Sequence, residues 1–291
     1  MKGEELRKLC DASGGRFLVA GRDYAQSRLV LVGAPMDWTA SFRPGSRSGP
    51  QAIRTASQGL EEYSLSAGKT LFDALFFDAG DLLLPTGDVA SSLAMIEKAV
   101  HIILEEGKFP LLMGGEHLVT LGALRAVSRR FTRPAVVQLD AHADLRSHYL
   151  GVSYSHASVM YHVITELGLE LYQYGIRSAA EEEVSFANEH TQFYPFHVLQ
   201  PLAETIPALK GRPVYLTVDI DVVDPAFAPG TGTPEPGGIT SAELLAALKQ
   251  LAGLELVGMD VVEVAPQYDP AGITAMLAAK AIREIILDKA A

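Results

Sequence analysis

The sequence predicts an α/β protein built on a mostly parallel sheet. Three observations lead there. Apolar, β-type runs alternate with stretches of helical period. Those runs are apolar almost throughout instead of at every second position. Acidic clusters stand where two of the runs end. A strand covered on both faces loses the apolar/polar alternation of a half-exposed one, and strand–helix alternation supplies the crossovers that parallel strands need. In chain order the predicted strands are 29–33, 74–78, 109–113 and 134–139, then 169–175, 192–196, 214–219 and 256–262. Between them, 91–106 carries Leu93, Ile96, Val100, Ile103 and Leu104 at helical spacing. A second helix opens at Ser241 behind Thr240 as its cap, and 271–287 forms a third. About eight strands fit either an open three-layer αβα sheet or a closed barrel. Both put an active site at the carboxyl ends of the strands.

With 291 residues, 48% of them hydrophobic, the chain can bury a large core. No composition shift, repeat or linker divides it, so residues 1–291 read as one domain with 1–28 as an N-terminal extension. The net charge of −11, with no block of Lys or Arg, argues against a nucleic-acid partner. Cys10 is the only cysteine, which precludes an internal disulfide and thiolate metal sites and fits a reducing compartment. The N-terminus leads into no apolar signal region, and no apolar run nears the roughly 20 residues of a spanning helix. The expectation is a cytoplasmic protein without a membrane partner. Residues 34–50 are rich in Gly, Pro, Ser and Arg but lack the terminal Gly-Lys-Ser/Thr of a phosphate loop. They read as an ordered rim loop entering a helix.

The chemistry gathers at strand ends. Asp140, His142 and Asp144 alternate after one apolar run, and Asp219 and Asp221 after another. Alternate residues share a face. Four converging carboxylates need cations among them, and two divalent metals balance their charge. Carboxylates mixed with imidazole suit Mn, Fe, Zn or Ni. Gly114-Gly115-Glu116-His117 follows the strand 109–113, so His117 falls at the same end of the sheet. The residues alone therefore indicate a two-metal enzyme.

Gly114-Gly115-Glu116-His117, Asp140-Ala141-His142-Ala143-Asp144, Ser155-His156-Ala157-Ser158 and Asp219-Ile220-Asp221-Val222-Val223-Asp224-Pro225 occur in that order. The last continues through Ala228-Pro229-Gly230-Thr231-Gly232-Thr233-Pro234-Glu235. This set resembles the ureohydrolase superfamily of arginase and agmatinase over nearly the whole chain. The loop segments Pro35-Met36-Asp37-Trp38 and Arg43-Pro44-Gly45-Ser46-Arg47 look most like bacterial agmatinases. The resemblance implies a three-layer αβα fold with an eight-stranded mostly parallel sheet, two Mn²⁺ per chain, and a homotrimer or homohexamer. It implies one metal on His117, Asp140, Asp144 and Asp221, and the other on Asp140, His142, Asp219 and Asp221. It further implies Asp144 as proton carrier, His156 as proton shuttle or substrate contact, and Glu263 as the partner of the substrate guanidinium. Asp260, out of step with Glu263, reads as structural. Thr231, Thr233 and Glu235 fall on a loop that could rim the pocket.

Three departures touch no implied ligand. Glu116 stands where the family commonly has Asp, Ala143 replaces a Thr, and Ala157 replaces a Gly. Arg146 and Ser178 stand where arginases hold the amino-acid head of arginine. That favours a decarboxylated, cationic guanidino substrate: agmatine, cleaved to putrescine and urea. Aminopropylagmatine, guanidinobutyrate and formiminoglutamate stay open. So do a metal-binding homologue without turnover and a one-metal deacetylase on a related fold.

Overall fold

The computed structural model describes residues 2–21 and 23–291. Its first half contains α1 (Lys2–Leu9), β1 (Cys10–Asp11), β2 (Leu29–Ala34), α2 (Gly49–Ser57), β3 (Tyr63–Ser64), β4 (Lys69–Thr70), β5 (Phe76–Leu82), α3 (Val89–Glu105), β6 (Phe109–Gly114), α4 (Val119–Arg130) and β7 (Ala135–Leu139). The second half contains α5 (Val159–Thr165), β8 (Glu170–Tyr174), α6 (Glu181–His190), β9 (Gln192–Tyr194), α7 (Leu199–Leu209), β10 (Val214–Asp219), α8 (Ser241–Ala252), β11 (Leu256–Val262) and α9 (Ile273–Lys289).

One sheet runs β1-β5-β2-β6-β11-β10-β7-β8-β9, and β3 and β4 form a separate small hairpin. The eight strands from β5 to β9 in that order are parallel. They are the eight that the sequence predicts. A ninth, two-residue strand from the N-terminal segment pairs antiparallel at the edge, Cys10 opposite Leu82. The open sheet with helices on both sides removes the barrel alternative.

Successive strand residues feed opposite cores. Leu29, Leu31, Val137, Leu139, Leu216 and Val218 pack with residues of α2, α7, α8 and α9. Val30, Val32, Val136 and Tyr215 pack with residues of α1, α3, α4, α5 and α6. Burial on both faces explains why these strands read as unbroken apolar runs. β5 lies later than predicted because Asp78 and Asp81 interrupt its apolar run. The buried Arg54 guanidinium of α2 pairs with both, meeting Asp78 at 2.8 and 2.9 Å. The predicted cap of α8 forms: the Thr240 side chain accepts from the Glu243 backbone N–H, and Glu243 accepts from that of Thr240. No helix among the described residues is long and apolar enough to cross a membrane.

β6, β11, β10 and β7 are adjacent at the centre of the sheet. Their carboxyl ends carry the residues singled out above.

Candidate metal centre

His117 enters the site through the turn after β6. There Gly115 lies so close to the loop that an added Cβ would sit 1.9 Å from the Met36 carbonyl oxygen. Asp140 follows β7 directly, Asp219 ends β10, and Asp221 lies in the 3₁₀ turn Ile220–Val222. Asp140, Asp219, Asp221 and His117 are each at most 3% exposed.

The side chains form two linked groups. Ligand-type atoms of His117, Asp140 and Asp219 lie within 4.8 Å of one another, as do those of Asp140, His142 and Asp221. Asp140 belongs to both. His117 Nδ1 faces three carboxylates, Asp140 at 3.0 Å, Asp144 at 3.2 Å and Asp219 at 3.4 Å. His142 Nδ1 lies 2.9 Å from Asp221 and 3.8 Å from Asp140. The resemblance groups Asp221 with His117 and Asp219 with His142. Asp219, not Asp221, stands beside His117, because the 3₁₀ turn carries Asp221 across to His142. Backbone donors fix the carboxylates: His142 N–H and Ala141 N–H bond Asp140 and Asp221, and Asp221 N–H bonds Asp219.

The other nitrogen of His117 shows what the cluster can hold. His117 Nε2 lies 2.9 Å from the Thr217 hydroxyl, which donates to Asp260. That hydroxyl proton is committed, so Thr217 accepts from Nε2–H and Nδ1 faces the carboxylates. Nδ1 is buried and makes no oriented hydrogen bond. Three carboxylates around one ring nitrogen need positive charge between them, a proton or a metal ion, so the donor set fits a metal. Without one, protons serve the same need. Burial opposes charge on His117, but Asp140, Asp144 and Asp219 outweigh it and hold its pKa well above the usual imidazole range, and burial raises the pKa of those three carboxyls. Burial opposes charge on His142, but Asp221, Asp140 and Asp144 outweigh it and push its pKa up to about 11.

Asp144 and Glu263 both adopt left-handed backbone, at φ 52° and 63°. For non-glycine residues this costs energy and gathers at functional sites. Glu263 lies just past the end of β11, so it no longer follows the alternation of that strand. Glu263 accepts the His117 backbone N–H at 2.8 Å. Burial first, then the neighbouring Glu116 carboxylate, raise its pKa to about 8. Glu116 is fully buried and accepts both the backbone N–H and the hydroxyl of Thr39, at 2.8 and 2.9 Å. The Thr39 hydroxyl also accepts the His156 backbone N–H at 2.9 Å. His156 lies 3.3 Å from Thr39 through Nδ1 and 3.3 Å from Ser41 through Nε2. The rim loop predicted from the sequence therefore reaches the site.

A cavity of about 290 Å³ opens over the cluster, lined by His117, His142, Asp144, His156, Asp219 and Glu263, with Ser41, Arg146, Tyr149, Glu183 and Thr233 around them. Of the three loop residues expected at the rim, Thr233 lines it. Thr231 is buried, and the Glu235 carbonyl accepts from Arg177. A larger cavity of about 800 Å³ lies between the β3–β4 hairpin and helices α8 and α9. It contains none of these residues, so size does not mark the chemistry. Sequence reasoning missed Thr39, Tyr149, Thr217 and Gln138, whose side-chain amide donates to Asp140 at 2.7 Å. Gln138 and Thr217 carried a readable signal, each being a polar residue two positions before a ligand on the same strand face.

Residues 27–287 match the sequence profile of the Arginase family. An agmatinase from Bacillus anthracis is 48% identical over 279 residues, covering 94% of this chain and 96% of its own. A guanidinobutyrase from Pseudomonas aeruginosa is 36% identical, covering 88% of this chain and 85% of its own. Among solved structures, the agmatine ureohydrolase of Thermoplasma volcanium superposes with a TM-score of 0.87 at 35% identity, covering 98% of this chain and 97% of that one. The strand order, the strand-end cluster and these similarities agree: the chain belongs to the arginase family and is a ureohydrolase.

Proposed function

We propose that the protein hydrolyses the guanidino group of agmatine to putrescine and urea at a two-manganese centre. His117, Asp140, Asp144 and Asp219 would hold one ion, and Asp140, His142 and Asp221 the other. When bound, such a pair activates water as a nucleophile near neutral pH. Glu263 pairs with the substrate guanidinium in a fork geometry. Asp144 holds the proton of the attacking water and passes it to the departing amine. His156, between Thr39 and Ser41 at the cavity wall, exchanges protons with solvent. Urea leaves with the guanidino carbon and the new oxygen, and putrescine leaves with the protonated nitrogen.

The reading rests most on His117 Nδ1 held among three carboxylates beside Glu263. Substrate choice rests on Arg146. Its guanidinium lies 3.4 Å from Glu183 and 3.5 Å from Glu182 and stacks on Tyr149. Two carboxylates already answer its charge. The tail end of the cavity therefore suits an amine better than the carboxylate of guanidinobutyrate. The test is urea release by the Mn²⁺-loaded protein from agmatine, aminopropylagmatine, guanidinobutyrate and arginine. Agmatine should give the highest kcat/KM. No urea from any of the four would refute the proposal.

A further inference from the structure

Beneath His117 a polar stripe crosses a buried sheet face. Tyr215, Thr217 and Asp219 share one face of β10, and Thr217 stands in register with Asp260 on the neighbouring β11. Thr217 donates to one oxygen of the Asp260 carboxylate. The other oxygen accepts from Tyr215 at 2.7 Å and from Thr120 at the start of α4 at 2.8 Å. Thr120, Tyr215, Thr217 and Asp260 have no exposed surface.

A fully buried carboxylate with three hydroxyl donors is costly to assemble, and an apolar core would serve the packing without it. What it does locally is orient one proton. Asp260 takes the Thr217 hydroxyl proton, so the Thr217 oxygen is left as an acceptor. His117 Nε2 at 2.9 Å is the donor it meets. The ring is thereby turned with its Nδ1, the atom that would bind a metal, toward Asp140, Asp144 and Asp219. Among the described residues His142 shows no comparable device: its side chain is 25% exposed, and its Nδ1 faces Asp221 and Asp140.

We propose that Thr217 and Asp260 are positioning residues that fix the tautomer and rotation of His117 and so set the affinity of the deeper metal. The proposal rests on the two-metal reading above. Hydrogen-bonded partners behind a ligating histidine typically change metal affinity by about 10–100-fold.

The test titrates metal-free protein with Mn²⁺ and follows free Mn²⁺ by electron paramagnetic resonance. In Thr217→Val one of two equivalents should weaken by about 10–100-fold while the other moves little. Thr217→Ser should restore it. Tyr215→Phe, which leaves the Thr217 link intact, should bind both ions as wild type does. Wild-type affinity for both ions in Thr217→Val, or equal weakening of both, would overturn the proposal. If that variant does not fold, nitrogen–proton correlation spectra of Zn²⁺-loaded wild type decide. A proton on His117 Nε2 supports the proposal, and a proton on Nδ1 overturns it. Wild type that takes up no Mn²⁺ defeats the two-metal reading together with the inference. Two ions in wild type and an unaffected Thr217→Val defeat the inference alone.

Discussion

The two histidines of the centre differ in how they are held. His117 is 1% exposed, leaves a turn that only glycine can make, and is backed by the Thr217–Asp260 pair. His142 sits one face-step along from Asp140, a quarter exposed at the cavity wall, and is positioned by Asp221 and its own backbone. The deep half is preorganised by side chains drawn from four elements of the fold. The outer half is organised by the loop after β7 and by Asp221 from the turn after β10. An ion on the deep side should therefore bind tighter and exchange more slowly, and the outer side should respond more to solvent and substrate.

The largest effect should come from the residue common to both halves. Asp140→Ala should abolish binding of both ions and reduce activity to background, measured by elemental analysis and urea release. Retention of one tight ion would show that the halves are independent. Next, His117→Ala should weaken Mn²⁺ more than His142→Ala, because it strands three buried carboxylates around a lost ligand. Equal losses would remove the distinction between the halves. Glu263→Gln should keep both ions yet lower kcat/KM for agmatine by about 10–100-fold, the worth of one charge-assisted fork.

Acidity offers a milder probe. In the metal-free protein Glu116 and Glu263 are raised by burial to about 7 and about 8. Between their unfolded values near 4.5 and those values the folded state binds more protons, so stability falls as pH rises. His142, raised to about 11, adds stability that is full below about 6.5 and lost as pH climbs through 11. Both signs agree. The metal-free Tm should drop from pH 6 to pH 8, and the Tm gain on adding Mn²⁺ should be larger at pH 8, because metal displaces those protons. A gain that shrinks with pH would contradict the electrostatics. The smallest effect is expected at the rim. Arg146→Ala should change kcat/KM for agmatine by less than about fivefold, as suits an ion pair already shared with Glu182 and Glu183.

The Asp-x-His-x-Asp run, which serves both halves, is the easier part to read from sequence. Asp140, His142 and Asp144 lie within five residues at period two, and a strand end makes that spacing meaningful. His117 needed the Gly-Gly turn to stand out. What supports His117 was hidden. A single Thr in Val-Tyr-Leu-Thr-Val-Asp is an ordinary strand residue, and its partner Asp260 is 43 positions away. Asp260 stands three positions before Glu263, an odd spacing that strand alternation puts on opposite faces, and Glu263, past the strand end in left-handed backbone, no longer follows that alternation. Likewise Asp219 and Asp221 share a face only while the strand continues. The 3₁₀ turn after Asp219 sends them to different histidines, which period two cannot foresee. The Thr39–Glu116 contact spans 77 positions and depends on how the rim loop folds back. The strands themselves were legible because burial on both faces writes itself into composition.

Equilibrium dialysis of the purified chain against Mn²⁺, with elemental analysis, tests the central claim most directly. The account predicts close to two ions per chain in wild type and none in Asp140→Ala. One ion per chain, or uptake that survives in Asp140→Ala, would contradict it.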